Sequence, residues 1–107
     1  MTVVELRQFS KRAARTWSAN DLDEFIAYIA ENPEAGDVVP EAGGVRKVRW
    51  PAKGHGKQGG AWVIYFFPNK SMPLFLLDCY AKNEKSDLGT DDQTKLILFV
   101  QMIMSGR

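Results

Sequence analysis

The sequence predicts an α+β domain: one small antiparallel-rich sheet in the order β-α-α-β-β-β-α, with helices packed on one of its faces. Three observations carry that prediction. Three strand-like runs, VRKVRW (45–50), AWVIYFFP (61–68) and LFLLDCYA (74–81), follow one another with hairpin-length connections. An apolar stripe at helical spacing, Leu22, Phe25, Ile26, Ile29 and Ala30, precedes them. A run that is apolar on nearly every helical face, from Leu96 to Met104, closes the chain. The length of 107 residues and a hydrophobic content of 45% fit a single domain over residues 1–107.

The elements can be justified in order. Residues 2–9 hold Val3, Val4, Leu6 and Phe9, which predict a first strand. Ser10 is placed to cap a short helix, KRAARTW, with Ala13, Ala14 and Trp17 on one side. Ser18 with Asp21 three residues on resembles a capping box and opens the second helix. Asn32-Pro33 ends it, because the residue before proline avoids helical angles. GDVVPEAGG (36–44) is expected to be a loop, punctuated by Pro40 and paired glycines. In VRKVRW, Lys47 and Arg49 share one face, about 7 Å apart, while Arg46, Val48 and Trp50 share the other. The ten-residue connection PAKGHGKQGG is glycine-rich. AWVIYFFP is rich in aromatic and β-branched residues, and LFLLDCYA is apolar enough for both faces to be buried. Thr90 and Gln93 suggest a cap for the last helix, with Asp91 and Asp92 at the positive end of its macrodipole. Its all-round apolar character predicts burial in the core. The alternative is that Phe99, Met102 and Met104 form a groove for a partner.

Charge is segregated although the net value is only +1. From Thr16 to Val45 there are seven acids and no base; from Ala42 to Leu77 there are six bases and no acid. Such a balance argues against a general DNA-coating protein and allows a local polyanion site. Clustered cations on a strand can hold phosphates, and the nearby rings of Trp50, Trp62 and Tyr65 offer surfaces for unpaired bases.

Other chemistry is poorly supported. Cys79 is the single cysteine, so there is neither an intramolecular disulfide nor a cysteine-based zinc site, and a reducing cytoplasm is the expected location. The start, MTVVELRQFSKR, lacks an apolar stretch of signal-peptide length, and no apolar run reaches membrane-spanning length. His55 is the single histidine, between two glycines, which leaves no Ser-His-Asp set and no metal-ligand pair. KGHGK lacks the spacing of a dinucleotide or P-loop fingerprint.

The stretch GDVVPEAGGVRKVRWPAKGHGKQGGAWVIYFF, followed by FLLDCYAKNEKSDL, resembles the HigB branch of the RelE/ParE superfamily of bacterial type II toxin–antitoxin modules. The likeness lies in a G-x-R-K-x-R strand, a basic glycine loop, a G-G-x-x-V-I-Y strand and a K-N-E-K-x-D-L segment. It covers the central half closely and the element order throughout. It implies a RelE-like microbial ribonuclease fold and a cytoplasmic mRNA endonuclease that acts on ribosome-bound transcripts without a metal or other cofactor. In such enzymes the 2′-hydroxyl attacks the adjacent phosphate, leaving a 2′,3′-cyclic phosphate and a 5′-hydroxyl. The implied partners are the ribosome, mRNA and a cognate antitoxin, a helix-turn-helix protein from the adjacent gene; DNA is reached only through the antitoxin, and no membrane is involved.

Carried over residue by residue, the resemblance gives Lys47 the role of base and Arg49 that of phosphate clamp, with Lys82, Asn83 and Lys85 completing the catalytic set. Arg46, Lys53, Lys57, Trp62 and Tyr65 are the expected RNA-binding residues. One position departs from the pattern: Trp62 stands where active relatives carry a phosphate-binding arginine, and an indole has one N–H and no charge. The alternative is therefore an attenuated or non-catalytic homologue that binds RNA or the ribosome.

Overall fold

The computed structural model describes residues 1–51, 60–81 and 90–106. Its elements run β1 (Val3–Glu5), α1 (Arg7–Thr16), α2 (Ala19–Glu31), β2 (Asp37–Val38), β3 (Val45–Trp50), β4 (Ala61–Phe66), β5 (Leu74–Ala81) and α3 (Thr90–Ser105). The five strands form one sheet in the order β1-β5-β4-β3-β2. The expected meander of β3, β4 and β5 is present, with antiparallel pairing across both junctions. The expected α+β class holds as well.

Three details of the strands and of the first helix differ from expectation. The first strand ends at Glu5, and Phe9 belongs to α1 rather than to a strand. Phe9, Ala13 and Trp17 recur at four-residue spacing, and all three are buried; that stripe starts the helix at Arg7, upstream of Ser10. Ser10 caps nothing, and its hydroxyl donates to Glu5 at 3.1 Å. The second difference is β2, a two-residue strand inside the expected loop, paired antiparallel with β3. The third is β1, which lies parallel to β5 at the sheet edge, so the sheet is mixed. By contrast, Ser18 caps α2 as expected, accepting from the Asp21 N–H at 3.1 Å.

Helices cover both faces of the sheet, not one. Phe9, Ala13 and Trp17 of the α1 segment and Phe25 and Ile29 of α2 pack against Ala61, Val63, Tyr65, Leu74, Leu76 and Cys79. Val100 of α3 packs on the other side, against Val39, Val45, Ile64, Phe66, Leu77 and Tyr80. The physical reason lies in β4: AWVIYF is apolar at every position, and a strand without a polar alternate needs both faces covered. α3 meets that need with one stripe only. Leu96, Phe99 and Ile103 are partly buried beside Val100, whereas Leu98 and Met102 are 55% and 67% exposed. The expectation that α3 is buried all round is thereby corrected.

A bulge in β5 sets which residues reach which face. Ile64 pairs with Asp78 and Tyr65 with Leu76, which leaves Leu77 as the extra residue. Beyond it the alternation is shifted, so Cys79 faces α1 and Tyr80 faces the α3 side.

Tyr65 anchors the connection after α2. Its hydroxyl accepts from the Gly36 N–H at 2.8 Å and donates to the Pro33 carbonyl at 2.9 Å. Burial pushes its phenol above the ordinary 10.0, opposed in part by the Gly36 N–H and the nearby Arg46. The raised folded value means that this contribution to stability is complete below the unfolded pKa and fades as pH rises through the folded one. Tyr65→Phe is expected to cost about 1–3 kcal/mol near neutrality, because a buried N–H and a partly buried carbonyl lose their partner. Urea melts at neutral and alkaline pH check both points; the variant should also lose the Tyr65 share of the alkaline decline.

A candidate nucleic-acid interface

β3 divides its charged residues by face. Val45 sits in the cluster beneath α3, so Lys47 and Arg49, in phase with it, look to the α3 side. Val48 and Trp50 look to the α1–α2 side. Trp50 lies edge-on to Phe25, with ring centroids 5.3 Å apart, and 5.2 Å from Tyr28; its indole N–H donates to the Asp21 carbonyl at 3.3 Å.

On the α3 side, β4 supplies the neighbour. Arg49 is directly opposite Trp62, and Lys47 is opposite Ile64, which makes Lys47 and Trp62 a diagonal pair. The Lys47 ammonium lies 5.1 Å from the Trp62 ring centroid, within cation–π range. Tyr80 of β5 pairs with Trp62 from the other side and is buried. The face therefore carries two cations and an indole, with a buried tyrosine on the next strand. Lys47 and Trp62 are half-buried, and Arg49 is exposed.

The structure revises two expected RNA contacts. Arg46 is on the opposite face, half-buried, with its guanidinium donating to the carbonyls of Gly36 at 2.8 Å and Glu34 at 3.3 Å. Its work is to hold the connection between α2 and β2. Tyr65 is fully buried and its hydroxyl is doubly engaged, so it presents no surface to a base. Lys53, Lys57 and His55 lie outside the described residues, as do Lys82, Asn83 and Lys85. The described residues do fix where those segments leave the sheet. Trp50, Ala61 and Ala81 form one row across β3, β4 and β5, next to the row Arg49, Trp62, Tyr80. Both segments depart from the end of the sheet that carries the cations.

The neck of the 51–60 connection is held firmly. The Pro51 carbonyl accepts from the indole of Trp17 at 3.1 Å. Gly60 has a φ of +67°, a left-handed angle that disfavours side chains.

Sequence reasoning missed Asp37. The β2–β3 pairing puts it directly opposite Lys47, beside the cationic face. Its only signal was the adjacent Val38 and Val39, too brief a run to distinguish from a loop. Glu31, at the end of α2, and Glu34, just beyond it, line an open hollow with Tyr28 and Pro33. No helix among the described residues is long and apolar enough to cross a membrane.

No protein-family model matches the chain.

Proposed function

We propose that this protein is a HigB-like toxin of the RelE/ParE type, a metal-independent mRNA endonuclease working on the ribosome and silenced by a cognate antitoxin. The observation that carries the reading is the convergence of Lys47, Arg49 and Trp62 on one sheet face, with the Lys47 ammonium 5.1 Å from the indole. The motif resemblance across the central half of the chain supports it independently.

In this mechanism the 2′-oxygen attacks phosphorus, Lys47 in its neutral amine form takes the 2′-hydroxyl proton, and the 5′-oxygen leaves with a proton from the ammonium of Lys82 or Lys85. Arg49 holds the non-bridging oxygens, whose charge grows in the pentavalent transition state. Lys82, Asn83 and Lys85 complete the polar shell, and Lys53 and Lys57 hold the RNA backbone. The cytoplasm is the site of action, and DNA is met only through the antitoxin.

A second reading is favoured by Trp62, which replaces the usual arginine: a homologue that binds RNA or the ribosome and cuts slowly or not at all. One experiment separates the readings. Inducing the gene alone in a bacterial host is expected to arrest growth, with new mRNA ends bearing 5′-hydroxyls, and co-expression of the neighbouring gene is expected to restore growth. Arrest without new ends selects the binding reading, and no arrest with folded protein present overturns the toxin reading.

A further inference from the structure

Three rings stood near the cations in the sequence, and the fold leaves one of them able to meet a ligand. Tyr65 is fully buried. Trp50 is on the α1–α2 face, set against Phe25 and Tyr28. Trp62 alone among the three shares a face with Lys47 and Arg49, and it is half-buried rather than enclosed. Its indole can donate one hydrogen bond and carries no charge, so it cannot clamp a phosphate as a guanidinium does. What it offers is a π-face, flanked on the neighbouring strand by Tyr80 and capped by the Lys47 ammonium.

We propose that Trp62 seats one unpaired nucleobase of single-stranded RNA, and that Lys47 moves from the ring to the phosphate beside that base while Arg49 tracks the same backbone. The inference rests on the RNA reading above and deepens it, by naming the unit recognised as a base with its phosphate rather than a phosphate alone. The exchange is favourable on both sides. The ring gains the broad contact of a stacked base, and the ammonium gains an anion. A base inside a duplex is already stacked on its neighbours, so the site discriminates against double-stranded RNA.

The test uses the full chain and three probes: a mixed-sequence single-stranded oligoribonucleotide, the same sequence as a duplex, and inorganic polyphosphate. Trp62→Ala is expected to weaken binding of the single strand by about 5- to 100-fold, while polyphosphate affinity changes by less than about twofold. Trp62→Phe, which keeps a ring, is expected to recover most of the loss, and circular dichroism confirms that both variants fold. Unchanged single-strand affinity in Trp62→Ala overturns the proposal. So does an equal loss for the single strand and for polyphosphate, which would mean that the indole merely positions Lys47. Selective loss of RNA binding in a protein that neither cuts RNA nor arrests growth supports the stacking site and removes only the endonuclease reading.

Discussion

The double variant Lys47→Ala, Arg49→Ala is expected to abolish RNA cleavage and growth arrest while leaving the protein folded. Lys47 is proposed to take the 2′-hydroxyl proton, a role whose loss typically lowers the rate by about 100- to 10,000-fold, and Arg49 to stabilise charge on the non-bridging oxygens, where removal of one donor typically costs about 100- to 1000-fold. Loss of both should put cleavage below detection. The fold should tolerate the change because neither residue belongs to a core cluster: Val45, Val48 and Trp50 keep β3 anchored on its two faces. The structural penalty includes the ammonium–indole contact, about 0.5–1 kcal/mol. That contact by itself corresponds to a fall in melting temperature of about 2–8 °C for a domain of this size. Measuring cleavage with purified ribosomes alongside a thermal melt checks both halves. Full toxicity in the double variant would mean that the site lies elsewhere.

Gly60→Ala is expected to be the most damaging single methyl at the neck of the basic loop, costing about 2 kcal/mol or more. Its φ of +67° is one that residues with a Cβ adopt at a cost. The position is also walled by main chain: a Cβ there would lie 2.6 Å from the Pro51 Cα and 2.8 Å from the Trp50 carbonyl carbon, and closer still to the Trp50 oxygen. Backbone cannot swing aside as a side chain can. Nor is this backbone loosely held, since Trp50 is fixed through the Asp21 carbonyl and Pro51 through the Trp17 indole. Gly44 makes a useful contrast. It too has positive φ, but the nearest obstacle to a Cβ is the edge of the Phe66 ring at 3.3 Å. Urea unfolding of Gly60→Ala should show the loss, and a change below about 0.5 kcal/mol would mean that the neck relaxes without strain.

The candidate site was partly readable because it depends on a period of two. The alternation in VRKVRW assigned Lys47 and Arg49 to one face and Arg46 to the other before any pairing was known. It could not say which face stayed accessible. Tyr65 and Trp62 are three residues apart on one strand, with similar composition around them, yet one is a fully buried anchor and the other borders the cations. That difference arises from what covers each face: Tyr65 meets Pro33 and Gly36, and Trp62 meets Lys47 and Tyr80. Asp37 stayed hidden for a related reason, since a two-residue strand has no periodicity of its own and exists only through its pairing with β3.

Local pattern was enough for the elements that carry their own signal. The Ser18 cap, the apolar stripe of α2 and the succession β3, β4, β5 depend on neighbours within a few residues, and the chain encodes them directly. Tertiary structure alone decided the placement of β1 against β5, the coverage of both sheet faces and the Leu77 bulge that turns Tyr80 toward Trp62. Those depend on contacts between residues distant in sequence, where the entropy of closing a long loop must be offset by burial that no single segment contains. For the same reason the sequence determined that a cationic strand would exist, and the fold determined that one indole would stand beside it.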